Sequence, residues 1–339
     1  MKRLTLEEIG ELAGVSRATV SRVINNYPHI RPEVRERVER VIRETGYEPN
    51  LVARSLASNR SNILGLVIPS AGSLLFSDPY FPRLIQGISQ GCDESDYTLA
   101  LFLFQSEQKE RNNLHSIYQK GILDGIIITA SVLADPHIPQ MIEYSLPFVM
   151  IGRPATHPEI NYVDVDSVGG AFTAVDHLAR LGYRRIATIT ADPDSTVGID
   201  RRAGYIDALT HHGLPVEDAR MCAGDFTRES GRAAMECLLP QRPDAVFAAT
   251  DAMAIGAMQA IEEAGLSVPD DVAVVGFDDF TLAENADPPL TTIRQPVQQT
   301  GRIAVQVLQG LLDGGGDDPQ HIVLPTELVI RASCGASRS

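Results

Sequence analysis

Residues 5–25 read TLEEIGELAGVSRATVSRVIN, and this stretch decides the organisation of the chain. Thr5 followed three positions later by Glu8 has the form of a capping box, and Leu6, Ile9 and Leu12 then recur at helical spacing until Gly14 breaks the run. After a two-residue turn, Ser16 caps a second helix containing Arg17, Ala18, Thr19, Val20, Ser21, Arg22, Val23 and Ile24. Two short helices joined this tightly must cross steeply, which predicts a helix-turn-helix. A third helix starts near Pro32 and runs through Val34, Val38, Val41 and Ile42 to Gly46, with its apolar stripe behind the other two. Arg31, the residue before Pro32, has no side chain suited to cap it.

Charge separates this segment from the rest of the chain. Residues 1–60 carry eleven Lys and Arg against eight Glu, a net of +3, and the remainder carries eighteen basic and thirty-six acidic residues, a net of −18. An acidic body repels phosphate, so nucleic-acid contact is confined to the small basic head, whose arginines can displace condensed counterions. The length of 339 residues predicts two or three domains, and 44% hydrophobic with 22% charged residues excludes collagen, coiled coil and disorder. No apolar run reaches the roughly 18 residues of a membrane helix, and carboxylates stand where a secretion signal would be apolar, which predicts a cytoplasmic protein. Cys92, Cys222, Cys237 and Cys334 have no paired spacing, which argues against a disulfide framework or a thiolate zinc site and for reduced, mostly buried thiols.

From residue 62 short β-rich apolar runs alternate with helix-period segments. The runs are 63–68, 99–104, 125–129 and 148–151, then 186–190, 245–249 and 272–275, with helices in the second series near 167–181, 200–212, 229–239 and 252–264. Two consecutive βα series predict two doubly wound lobes, with a ligand cleft at the carboxyl ends of the strands.

The 5–25 stretch resembles the headpiece of the lac repressor (LacI/GalR) family of transcriptional regulators. Tyr47-Glu48-Pro49-Asn50 with Ala53 and Leu56 is similar to that family's hinge, and Pro289-Leu290-Thr291-Thr292-Ile293 with Gln295 is similar to its return crossover. The resemblance implies an α/β chain: a three-helix helix-turn-helix headpiece (1–48), a hinge helix (49–60) and a two-lobed, periplasmic-binding-protein-like (type I) core of doubly wound parallel sheets (61–339). The lobes are expected at about 61–161 with 292–322, and 162–291 with 323–339. It further implies a repressor of carbohydrate-utilisation genes, controlled by a small-molecule effector bound between the lobes, with no cofactor and no metal.

A recognition helix presents its N-terminal residues to base edges, so Arg17, Ala18 and Arg22 are the expected readers; arginine can donate twice to guanine, and the alanine methyl can meet a thymine methyl. Ser16, Thr19, Ser21 and Asn25 suit phosphate contacts, and Thr5 joins them at the head of the first helix. By resemblance the hinge places Asn50, Ala53 and Leu56 at the minor groove, with Leu56 as an apolar wedge. For the effector, sugar-like ligands need carboxylate acceptors, a forked donor and an aromatic face. By resemblance to the family's cleft, Asp278 in Gly276-Phe277-Asp278-Asp279, Arg201 rather than its neighbour Arg202, Phe226, and the group Asp78, Tyr80 and Phe81 supply these. Thr250 is expected to face the ligand while Asp251 caps the following helix. Ser131 and Arg153 end two strands of the first lobe. Gly152 stands where several relatives carry a ligand-binding Asp, a contact for which Arg153 could substitute a donor.

The chain lacks further leucine heptads after Cys334, so a homodimer on a roughly palindromic operator is the simplest assembly expected. Alternatives are a nucleobase-responsive repressor of the same family and a glycosidase with Asp78 and Asp278 as paired carboxylates. Nothing marks either acid as a raised-pKa catalyst, no nucleophile motif stands out, and Gly314-Gly315-Gly316 is a loop rather than a phosphate cradle.

Overall fold

The computed structural model describes residues 4–24, 27–47, 60–68, 79–103, 122–129, 138–143, 145–316 and 318–336. The chain divides into two units, 1–62 and 63–339. Asn25, Asn50, Ala53, Leu56, Asp78 and Ser131 lie outside the described residues.

The first unit holds α1 (Leu6–Ala13), α2 (Arg17–Ile24) and α3 (Pro32–Thr45). The capping box forms as expected: Glu8 N donates to Thr5 Oγ1 at 3.2 Å and Thr5 N donates to Glu8 Oε2 at 2.7 Å. Gly14, at φ 64°, turns the chain in the left-handed region that glycine adopts without strain. Thr19 N donates to Ser16 Oγ at 3.2 Å, and Arg31 makes no cap on α3. Helices this short are marginal alone. Burial of Ile9, Ala13, Val20, Val23, Val38 and Tyr47 in one cluster holds them together.

The second unit runs β1 (Ile63–Ile68), α4 (Tyr80–Glu94), β2 (Thr98–Leu103), β3 (Gly125–Thr129), α5 (Ile138–Glu143), β4 (Phe148–Ile151), β5 (Tyr162–Val165), α6 (Ser167–Arg180), β6 (Ile186–Thr190) and α7 (Thr196–His211). It continues with β7 (Met221–Ala223), α8 (Arg228–Leu238), β8 (Ala245–Ala248), α9 (Asp251–Glu263), β9 (Ala273–Asp278), α10 (Thr281–Glu284), β10 (Thr291–Arg294), α11 (Val297–Leu312), β11 (His321–Leu324) and β12 (Glu327–Val329). One sheet has the order β11-β5-β4-β3-β1-β2, its described pairs all parallel; the other is β12-β10-β9-β8-β6-β7, with β12 antiparallel to its neighbour. β1 and β3 are buried almost throughout, which is why they read as continuous apolar runs. Close packing of α4 on α11 depends on Gly87, where a Cβ would lie 2.1 Å from the carbonyl oxygen of Gln298.

The chain passes between the sheets three times, after β5, after β10 and after β11. The lobe limits therefore differ by one short element from those expected. Tyr162–Val165 belongs to the first sheet, pairing with β4 and β11, so a cut after 161 falls a strand too early. Thr291–Arg294 pairs with β9 in the second sheet, and the first sheet is rejoined only at α11 and extends through Leu324. These strands are short and polar on one side, so they carry no apolar run. Cys92 and Cys334 are buried, Cys222 is half-buried and Cys237 is exposed, so the expectation of mostly buried thiols holds for two of the four. Burial and a hydrogen bond with Cys237 push the Cys222 thiol up to about 11. No described helix is long and apolar enough to cross a membrane.

Candidate functional site

In the first unit the buried Val20 and Val23 turn α2 so that Ser16, Arg17, Ala18 and Arg22 are exposed and Thr19 and Ser21 are half-exposed. Ser16 and Thr19 hydroxyls lie 2.9 Å apart. Arg17 Nε is 3.2 Å from Glu7 Oε1, but both side chains are more than half exposed, so this pair holds the arginine weakly. Arg22 lies over the Tyr27 ring at 5.8 Å, a cation–π contact with a residue beyond the end of α2. Thr5 is engaged in the capping box. Six of the expected DNA-facing residues thus lie on α2 or at its cap with their side chains exposed or half-exposed, hydroxyls and a guanidinium clustering at its N-terminal end.

In the second unit a cavity of about 170 Å³ opens where the strands of both sheets end. Its lining includes Tyr80, Phe81, Arg201, Phe226, Thr250 and Asp278, each expected there from the sequence. It also includes Thr129, Asp164, Ser195, Gln295 and Thr300, which sequence reasoning did not assign to the site. Gln295 sits beside a recognised segment, but its role is set by the crossover after β10. Asp164 stands in β5, a strand with no apolar run to announce it.

Two helices aim their N-termini at the cavity. Ser195 caps α7, accepting from Gly198 N at 3.0 Å, and Thr250 caps α9, accepting from Met253 N at 3.2 Å. Their orphan amides and dipoles favour electron-rich ligand atoms. The structure corrects the expectation that Asp251 would cap α9: Thr250 is the cap, and Asp251, fully buried, reaches across to accept from Phe280 N at 2.9 Å and from the Thr292 hydroxyl. Gly276 permits that reach, since a Cβ there would lie 2.5 Å from Asp251 Oδ1. Burial pushes the Asp251 carboxyl up to about 7 against the pull of those two donors.

The four residues 276–279 divide the work of the β9 end. Phe277 is a buried platform, its ring centroid 3.6 Å from the Arg201 guanidinium carbon. Asp278 turns into the cavity, with Arg201 Nη1 at 3.6 Å from Oδ1 and Gln295 Nε2 donating to the same oxygen at 2.6 Å. Asp279 turns the other way, into Arg331 Nη2 at 2.6 Å and Arg294 Nε at 2.7 Å. Burial would raise the Asp279 carboxyl, but the two guanidiniums overcome it and hold it below its ordinary value. Asp278 and Asp279 have φ of 127° and 60°, positions that L residues occupy at a cost of order 1–3 kcal/mol each, and ionic clamps on both sides hold them there. Phe226 is likewise held at φ 72°, half-buried on the second lobe's core and facing the cavity.

Arg201 is 3% exposed. Its Nη1 donates to the Ala249 carbonyl, and its Nε has no hydrogen-bond partner among the described residues. Burial works against its charge, and Asp278 is the first of the anions opposing that effect. Arg202 points to solvent. Arg153 lies at the rim and is not among the lining residues: its Nη2 binds both oxygens of Asp200, at 2.6 and 2.9 Å, bridging the loop after β4 to α7.

The site thus combines buried acid–arginine pairing, amide and hydroxyl groups, and aromatic side chains in a cleft. Comparison with known proteins agrees with this organisation. Residues 5–50 match the family model "Bacterial regulatory proteins, lacI family", and residues 175–334 match "Periplasmic binding protein-like domain". The chain is similar to the HTH-type transcriptional regulator CelR of Thermobifida fusca, 39% identical over 98% of both chains, and to the Ribose operon repressor of Escherichia coli (strain K12), 36% identical over 90% of this chain and 92% of that one. Among solved structures, a CelR–cellobiose complex superposes with a TM-score of 0.78 at 36% identity, covering 98% of this chain and 100% of that one. The lac repressor dimer bound to operator and the anti-inducer ONPF superposes with a TM-score of 0.86 at 29% identity, covering 98% and 99%.

Proposed function

The chain belongs to the lacI family of bacterial regulatory proteins and is a DNA-binding transcriptional regulator, and from that premise we propose that it represses carbohydrate-utilisation genes under the control of a sugar held in the cavity. Its full-length relatives are regulators, and it is not an enzyme. Arg17, Ala18 and Arg22 read base edges in the major groove, while Ser16, Thr19 and Ser21 bond phosphates and set the register. The chain acts as a homodimer on a roughly palindromic operator. The hinge residues Asn50, Ala53 and Leu56 complete the DNA contact in the minor groove.

The observation that carries the sugar reading is the meeting of Arg201, Asp278 and Gln295 with Tyr80, Phe81 and Phe226 in one cavity. A fork donor and a buried acceptor take adjacent hydroxyls, and the aromatic rings cover the apolar face of a pyranose. Acceptors and hydroxyl-matching groups outnumber features that would grip a nucleobase. The cellobiose in the CelR complex makes a β-glucoside the first ligand to test. Asp78 and Ser131 belong to the same proposed site.

The effector acts by binding one lobe arrangement better than another, because a ligand with equal affinity for both would shift nothing. The three passages between the sheets are where lobe closure bends the chain. The test pairs thermal unfolding across a panel of neutral mono- and disaccharides and nucleobases with anisotropy of a labelled palindromic duplex. A sugar that raises the melting temperature and changes duplex affinity supports the reading; stabilisation by nucleobases alone replaces it with the nucleobase alternative.

A further inference from the structure

β5 brings an acid into the cavity that the sugar reading has not used. Gly152 donates its N–H to Val163 O at 2.9 Å, which sets Asp164 beside the Gly152 corner of the cavity. Gly152 has no side chain, so the corner is open to the Asp164 carboxylate. The carboxylate accepts a main-chain hydrogen bond from Val165 N to Oδ1 at 2.8 Å, and the Arg153 main-chain N–H also faces it. The Arg153 guanidinium is occupied by Asp200. An ionised carboxylate has about four acceptor positions, so this one retains capacity for a ligand donor. The other lining acid, Asp278, sits on the second sheet with Arg201 and Gln295 already bound to it.

We propose that Asp164 is a specificity-determining acceptor, taking a hydroxyl of the effector on its ionised carboxylate from the side of the first sheet and rejecting a ring that lacks that hydroxyl. The inference rests on the sugar reading of the cavity and deepens it. A ligand held by Asp164 on one sheet and by Arg201 and Asp278 on the other touches both lobes, which is what differential binding to a closed arrangement requires.

The same carboxylate makes sugar binding depend on pH. Burial pushes the Asp164 carboxyl up to about 6, and Asp200 adds to the rise, while the Val165 N–H and Arg153 oppose it. The charged and titratable groups around it are Arg153 on the loop after β4, Asp200 and Arg201 on α7, Tyr80 on α4, Tyr162 on its own strand, and His321, stacked on Tyr162 at 4.4 Å from the neighbouring strand. Because the ionised form accepts the hydroxyl, sugar affinity rises as pH increases through about 6. About one carboxyl in ten is ionised near pH 5 and nearly all near pH 7.5, so the gain is about tenfold.

The experiment is titration calorimetry of the full chain with neutral mono- and disaccharides, led by cellobiose, at about pH 5 and about pH 7.5, on the wild type and on Asp164→Asn. Asparagine keeps the bond from Val165 N and removes the charge. The expected result is a wild-type affinity that rises about tenfold with pH, and an Asp164→Asn affinity that is flat and about tenfold weaker at the higher pH. The unliganded melting temperature of the variant is expected to be unchanged or higher, because a buried ionisable group has been removed. Deoxy analogues of the bound sugar should include one that binds wild type and Asp164→Asn equally. A pH-independent wild type, or a variant with wild-type affinity and slope, overturns the role of Asp164 alone. A wild type that binds no sugar at either pH overturns the sugar reading itself, and this inference with it.

Discussion

Replacing Arg201 by Lys and by Ala separates what its guanidinium does for the fold from what it does for a ligand. The group stacks on Phe277 at 3.6 Å, donates to the Ala249 carbonyl and stands 3.6 Å from Asp278. In Arg201→Ala, Asp278 keeps only Gln295, at 2.6 Å, among these partners. Breaking a buried pair from one side costs about 3–5 kcal/mol, an upper bound here because the desolvation of the guanidinium is relieved at the same time. Lysine keeps a cation for Asp278 but loses the planar fork and the stack, so the expected loss of stability is smaller, about 1–2 kcal/mol. Against a ligand the two variants converge. Each charge-assisted hydrogen bond is worth about 1.5–3 kcal/mol, so losing two from the fork weakens sugar binding by about 10²- to 10⁴-fold in both. Calorimetry with sugar, denaturant unfolding, and anisotropy of an operator duplex with and without sugar measure the three quantities. Both variants should keep operator affinity, since α2 is untouched, and lose the response. An Arg201→Lys variant with wild-type sugar affinity would refute the fork role, as would either variant answering sugar at the wild-type concentration.

Arg22→Ala should weaken binding to the preferred operator by about 1–3 kcal/mol and leave nonspecific duplex binding nearly unchanged; equal losses on both DNAs, measured by competition, count against base reading. Arg31→Ser supplies the missing cap of α3 and should stabilise that helix by about 0.5–1 kcal/mol, seen as slower amide exchange in its first turn without a change in operator affinity. Asp251 has an ordinary value of 3.8 and is raised to about 7 in the folded chain, so the native state holds the extra proton between these values. Its contribution is full below about pH 4 and is lost as pH rises through about 7. Asp251→Asn should therefore flatten the fall in stability between about pH 5 and 7.5 in denaturant titrations, and an unchanged slope would show that another group titrates.

How much was legible depended on whether the signal was local. The headpiece could be read almost residue by residue, because Thr5, Glu8, Gly14, Ser16 and Pro32 act on bonds within one or two turns. The long buried strands, such as Ile63–Ile68 and Gly125–Thr129, were legible because covering a strand on both faces demands an apolar run. β5, β10 and β11 were not, since four-residue strands with polar positions are stabilised by neighbours rather than by their own pattern. The lobe limits shifted for that reason.

The candidate site divides along the same line. Asp278 and Arg201 were expected through a family resemblance, and the spacing of 276–279 marked a functional segment. That Thr250 rather than Asp251 caps α9 depends on Gly276 and Thr292 approaching from other elements. Arg153 was expected at the ligand and instead holds Asp200, because the loop after β4 passes the side of α7, a neighbour far away in sequence. Asp164 became visible only when β5 was laid beside Gly152. The sequence by itself determined which segments fold and which one is the basic helix-turn-helix head, because caps, periodicity and net charge act over a few residues. Which carboxylates face the cavity and which are bound to arginine was decided by the tertiary structure, because pairing energies depend on distance and burial between elements tens of residues apart in the chain.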